Sequence, residues 1–195
     1  RHDIVLIADE VYESLVYDGL QHTSLLSFPD AREHVVQVNS FSKTYAMTGL
    51  RVGYLAASAE KLLQFLKYHH TVNISANVPS QMACVAALKG PQDCVEEMRS
   101  AYQARRDLVV KRLNDIPGVR CALPKGSFFV FADIRELGIG SLDFVEYLVR
   151  EAGVVLTNGS GFDYEGFVRV SYAAKPESIE EAMGRMKAAV LKMPA

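Results

Sequence analysis

The segment Ser40-Phe41-Ser42-Lys43-Thr44-Tyr45-Ala46-Met47-Thr48-Gly49-Leu50-Arg51-Val52-Gly53-Tyr54 decides how this chain is read. It lies between two apolar runs, Val35–Val38 (VVQV) before it and Val52–Ala56 (VGYLA) at its end. The first has the short, β-branched character of a strand, and the second is a further candidate strand. An amine, several hydroxyls and a guanidinium therefore sit in one connection between strands. An earlier run, Ile4–Ala8 (IVLIA), leads into Asp9, Glu10 and Tyr12. Ile4–Ala8 and Val35–Val38 are of the kind buried on both faces of a parallel sheet.

Further out, helices are predicted at Ala59–His69 and around Ser80–Lys89, and the character changes at Gly90-Pro91. From Asp93 to Leu113 the residues Val95, Met98, Tyr102, Val109 and Leu113 fall on one helical stripe, which Pro117-Gly118 ends. This long helix is the bridge into a second unit. That unit reads as strand Ser127–Ala132, helix Ser141–Arg150, short strand Val154–Leu156, strand Val168–Tyr172 and helix Ser178–Leu191. Ser178 and Glu181 match a capping box at the start of the last helix. The expected organisation is α/β, with residues 1–92 part of a larger, mostly parallel sheet and residues 93–195 a small α+β domain.

Composition narrows the function. The chain has 195 residues, 49% hydrophobic and 23% charged, which excludes disordered, collagenous and coiled-coil classes. A net charge of -2 supplies no field for nucleic acid or an anionic membrane. No apolar run approaches the ~18 residues that a spanning helix needs. Cys84, Cys94 and Cys121 are widely spaced and form no C-x-x-C pair, and His69 and His70 are adjacent, so neither a disulfide framework nor a metal site is expected. Buried, reduced thiols in a cytoplasmic protein are the reading. The chain opens on Arg1-His2-Asp3 directly before an apolar run, without an initiator Met, and reads as a piece of something longer.

Chemistry concentrates after two of the strands. In open α/β sheets ligands gather outside the carboxyl ends of strands, where both Asp9-Glu10-Tyr12 and Asn39-Ser40-Lys43 lie. Either cluster alone reads more readily as a polar loop, with Asp9 capping a helix and Lys43 in solvent, since such loops are common on any sheet. Together, an acid, a phenol, a lysine and hydroxyls resemble a cofactor pocket. Arg169 has two readings as well. On the strand Val168–Tyr172 it faces away from Val168, Val170 and Tyr172, either as part of a wet polar face or as a fork for a carboxylate. Asn158-Gly159-Ser160-Gly161 is glycine-rich but opens no clear helix, so it reads as a turn and not a dinucleotide fingerprint.

The Ser40–Tyr54 segment resembles the lysine motif of the class I/II aminotransferases, the fold-type I family that depends on pyridoxal phosphate (PLP). Asp9-Glu10-Val11-Tyr12 is similar to the family's earlier motif, and the separation of 43 − 9 = 34 residues suits it. Gly126-Ser127-Phe128-Phe129 and Gly166-Phe167-Val168-Arg169-Val170-Ser171-Tyr172 are similar to its two later landmarks. The resemblance implies that Lys43 is the catalytic lysine forming the Schiff base with PLP. It implies that Asp9 keeps the pyridine nitrogen protonated, that Tyr12 binds the cofactor's phenolic oxygen, and that Ser40 and Arg51 anchor the phosphate. Arg169 would grip the substrate's α-carboxylate. The implied fold is the C-terminal part of the large-domain sheet of a PLP-dependent transferase, followed by the small domain. The implied activity is amino-group exchange between an amino acid and a 2-oxo acid by a ping-pong route, in a homodimer. A PLP-dependent lyase or synthase, and a non-catalytic fragment or effector module of the same fold, are the alternatives.

Overall fold

The run VVQVNS forms the central strand of the first sheet. β2 (Val35–Ser40) pairs in parallel with β1 (Leu6–Asp9) and antiparallel with β3 (Gly53–Ala56), in the order β1-β2-β3. In the computed structural model, which describes residues 4–193, this sheet belongs to a unit that ends at Arg99, and a second unit begins at Ser100. With a neighbour on each edge, β2 buries Val35, Val36, Gln37 and Asn39.

β1 departs from the expectation. The strand is Leu6–Asp9, and Ile4, Val5, Leu6 and Ile7 are 45–70% exposed instead of covered on both faces. β1 is an edge strand with one partner, and Ala8 is the buried residue of the run. A β-branched sequence reports a preference for covered surface; the described residues do not supply the cover. The helices behave alike. α1 (Phe41–Thr44) is a single turn after β2, and α2 (Ala59–Asn73) and α3 (Val78–Lys89) follow β3. α2 buries no residue, and Leu63, Leu66, Tyr68 and Val72 on it are exposed.

α4 (Asp93–Asn114) carries the long predicted stripe, and the boundary between the units falls within it. Its Val109, Val110 and Leu113 enter the core of the second unit, where Arg106 is also buried. Four strands make that unit's antiparallel sheet: β4 (Arg120–Cys121), β5 (Phe129–Asp133), β6 (Thr157–Asn158) and β7 (Phe167–Ser171), in the order β4-β5-β7-β6. Val130, Ala132, Val168 and Val170 point into the core, together with Phe144 and Leu148 of α5 (Ser141–Ala152). α6 (Pro176–Val190) adds Ile179, Met183, Met186 and Val190. Each large apolar side chain so buried contributes about 1.5–3 kcal/mol. The alternation leaves Phe129, Phe131, Arg169 and Ser171 on the opposite face of the sheet.

Two local expectations are corrected. α6 starts at Pro176 with Lys175 as its N-cap, so Ser178 lies inside the first turn and no capping box forms. Pro at the first helical position has its φ already set and no N–H to satisfy, which moves the start upstream. Val154–Leu156 is not a strand. Gly153, at φ 63, ends α5, and the Val154 N–H bonds back to the Leu148 carbonyl at 3.2 Å. That backbone donor closes the helix instead of joining a ladder, and β6 forms further on.

Candidate active site

The connection from β2 to β3 is tied together at its two ends. Ser40 caps α1, its Oγ accepting the Ser42 N–H at 3.1 Å and donating to the Val52 carbonyl at 3.2 Å. Ser40 is also the register partner of Gly53. A Cβ on Gly53 would lie 2.5 Å from the Asn39 carbonyl oxygen, so glycine is what permits this approach. Between these ends Ala46 (φ 54) and Arg51 (φ 51) both hold left-handed backbone, a cost of order 1 kcal/mol for each non-glycine residue. The strained turns return the chain so that Arg51 stands beside the Ser40–Val52 contact.

Lys43 sits half-buried on α1 between these anchors. Phe41, buried two residues earlier, fixes the turn by stacking on Tyr45 at 5.8 Å and meeting Tyr54 edge-on at 6.0 Å. Arg51 is exposed. Its Nη1 donates to the Thr48 carbonyl at 3.0 Å, and it pairs with no carboxylate among the described residues.

The other cluster lies alongside. Asp9 ends β1 in register with Val38, two residues before Ser40 on the neighbouring strand. Its exposed carboxylate accepts the Val11 N–H at 3.3 Å. Tyr12 follows, half-buried, in the turn after β1. That turn touches α1 directly, since Thr44 Oγ1 and Ser14 Oγ are 3.4 Å apart. Asp9, Tyr12, Ser40, Lys43 and Arg51 therefore share the carboxyl end of one sheet.

Glu10 has a role here that its place in the sequence did not reveal. It is 6% exposed, and its carboxylate accepts the Leu25 N–H at 3.0 Å and Gln37 Nε2 at 2.6 Å, with His22 Nε2 at 3.1 Å. Burial alone would push this carboxyl up. The hydrogen bonds from Leu25, Ser24, Gln37 and His22 outweigh it and hold the group below the ordinary glutamate value. Glu10 thus clamps the loop after β1 onto the central strand, directly behind Asp9.

Arg169 belongs to the second unit, on β7 opposite Phe131 of β5. Its guanidinium carbon lies 4.4 Å from the Phe129 ring centroid and 4.7 Å from that of Phe162. No carboxylate pairs with it among the described residues, whereas Arg112, Arg120, Arg135, Arg150 and Arg185 of the same unit each bind one. The approach to Phe129 is fixed by Ser127, whose φ is 65, whose Oγ accepts the Phe129 N–H and whose carbonyl accepts the Tyr172 hydroxyl at 2.9 Å. Buried Arg106 braces the same loop by donating to the Pro124 carbonyl at 3.0 Å. Phe162 could not be anticipated from sequence spacing. It precedes Arg169 by a loop whose path the hydrophobic pattern does not encode.

The architecture is that of aminotransferase structures. An aromatic aminotransferase from Pyrococcus horikoshii OT3 superposes with a TM-score of 0.94 at 41% identity, covering 98% of this chain and 52% of that one. An aspartate aminotransferase from Rhizobium meliloti gives 0.93 at 34% identity, with 97% and 50% covered. The chain belongs to the aminotransferase class I and II family, whose model it matches over residues 1–186. Among curated relatives, aromatic-amino-acid aminotransferase 2 of Thermococcus litoralis is 43% identical over 194 residues, 96% of this chain and 49% of the relative. The aspartate aminotransferase of Pyrococcus abyssi is 42% identical over the same shares. The chain spans about half the length of the curated relatives it matches.

Proposed function

We propose that the chain is part of a PLP-dependent aminotransferase that moves an amino group between an amino acid and a 2-oxo acid. The observation that carries this reading is the gathering of an acid, a phenol, a hydroxyl, an amine and a guanidinium that pairs with no carboxylate among the described residues at one end of the β1–β2–β3 sheet. This donor set suits PLP. Ser40 Oγ and the Arg51 guanidinium are a hydroxyl and a planar fork for a phosphate dianion. The Asp9 carboxylate, engaged among the described residues by the Val11 N–H alone, is available to keep a pyridine nitrogen protonated. Tyr12 supplies a phenol for the cofactor's ring oxygen. When bound, PLP supplies an electron-withdrawing ring that takes up negative charge from the substrate α-carbon.

The chain's own residues do the rest. Lys43 is the residue that would hold the cofactor, and its Nζ would be the base that moves the proton away from the substrate α-carbon. Glu10 keeps the turn bearing Asp9 and Tyr12 against β2. Arg169 grips the substrate α-carboxylate. Apolar residues exposed on β1 and α2 are covered by the rest of a longer polypeptide, in keeping with relatives twice this length. Val78, Met82, Val85 and Leu88 form an exposed stripe on α3 that supports assembly as a homodimer. Three free cysteines accord with the cytoplasm.

Incubating the full enzyme with several amino acids and 2-oxoglutarate tests the reading. Glutamate should form in step with consumption of the donor. Release of ammonia and a 2-oxo acid without amino transfer would replace it with the lyase reading.

A further inference from the structure

We propose that Phe162, delivered by the glycine-rich turn Asn158–Gly161, is a positioning residue that completes an aromatic clamp on Arg169. The proposal rests on the reading that Arg169 binds the substrate α-carboxylate. The guanidinium has Phe129 at 4.4 Å and Phe162 at 4.7 Å, both well inside the ~6 Å range over which a ring attracts a cation.

The choice of partner has a consequence. A structural carboxylate, such as the one Arg135 finds in Asp133, occupies the N–H donors that a substrate needs. Aromatic faces stabilise the positive charge and restrict the side chain while accepting none of its five conventional N–H bonds. Arg169 donates to no protein acceptor among the described residues, so its whole fork is open to a ligand carboxylate. The clamp therefore orders the side chain before substrate arrives without competing with it.

The turn is built to hold Phe162 in this place. Residues Gly159–Phe162 form a 3-10 turn, closed by the Asp163 N–H on the Ser160 carbonyl at 3.1 Å and the Tyr164 N–H on the Gly159 carbonyl at 3.0 Å. A Cβ at buried Gly159 would run into the carbonyl oxygens of Tyr164 and Phe167, so the turn needs glycine there. Ser160 is tied to the start of α5 by its N–H on Ser141 Oγ at 3.2 Å, and Ser141 Oγ donates to Glu165 at 2.9 Å. The Phe162 ring meets Phe131 edge-on at 6.2 Å. The glycine-rich segment thus has a purpose unrelated to nucleotides: it seats an aromatic ring on a substrate-binding arginine.

The test is steady-state kinetics of the full-length holoenzyme carrying F162A, F162L or F162W, each alone and in an R169A background. F162A and F162L should raise KM for the amino acid about 2- to 5-fold with kcat held within about 2-fold, and F162W should retain the wild-type KM. In the R169A background F162A should change kcat/KM no further, because its effect passes through the arginine. Leucine serving as well as tryptophan, or an equal F162A effect with and without Arg169, would overturn the clamp. R169A with an unchanged KM would instead overturn the carboxylate reading on which the clamp rests. Phe162 is 48% exposed, so its replacement does not put folding at stake.

Discussion

Glu10 offers a quantitative test of how the first unit holds its site. Replacing it with alanine strips the 2.6 Å acceptor from the side chain of buried Gln37, leaving its Nε2 only the longer contact with Ser24 Oγ at 3.4 Å, and removes the acceptor of the Leu25 N–H. An unsatisfied buried donor costs about 1–3 kcal/mol, and Leu25 can recover part of its bond from water, so E10A should lose about 2–4 kcal/mol. With a urea slope of about 2 kcal/mol per molar, the unfolding midpoint should fall by about 1–2 M at unchanged slope. E10Q should lose less, since it keeps one oxygen but turns an NH2 toward donors. The pH arm has a definite sign. Because the folded carboxyl titrates below the ordinary value of 4.5, its stabilisation is in place above that pH. It is lost as pH falls through the depressed folded value, so wild type and E10Q should converge at the acid end. E10A within about 0.5 kcal/mol of wild type at neutral pH, or a wild-type to E10Q gap indifferent to acid, would refute the clamp assigned to Glu10.

Other outcomes are as specific. Burial pushes the Cys121 thiol up to about 11 and raises that of Cys84, while Cys94, contrary to the expectation of buried thiols, is exposed in the first turn of α4. Since the thiolate is the reacting form, a thiol reagent at pH 8 should modify Cys94 quickly and the other two only on unfolding; three equal rates would be inconsistent with this burial. Two glycines should respond oppositely to alanine. G184A, on α6 with nothing within 4 Å of the added methyl, should stabilise by about 0.5–1 kcal/mol, whereas G159A should cost about 1–3 kcal/mol by striking backbone carbonyls. Thermal melts of the two variants decide whether the turn at Gly159 is as crowded as described.

The contrast between legible and hidden features has a physical basis. The stripe on α4 and the alternation around Arg169 are periodic signals set by one element's own geometry, and both reappear in the structure. The polar clusters after β1 and β2 were legible because strand ends and their loops are local in sequence. Glu10 was harder: its partners Leu25 and Gln37 are 15 and 27 residues away, and only the folded loop brings them in. Phe162 depends on a backbone turn whose course follows from close packing at Gly159, which no periodicity records. The start of α6 was misplaced because Ser178 and Glu181 satisfy a capping pattern that Pro176 pre-empts. The burial expected of Ile4–Ile7 needs a covering layer that these residues do not themselves encode.

In the proposed function Lys43, at the carboxyl end of β2, is the residue to which PLP would be attached. Borohydride reduction of the holoenzyme followed by peptide mapping tests it directly. A pyridoxyl group on Lys43 is the predicted result; a label on any other lysine, or on none, would contradict the account.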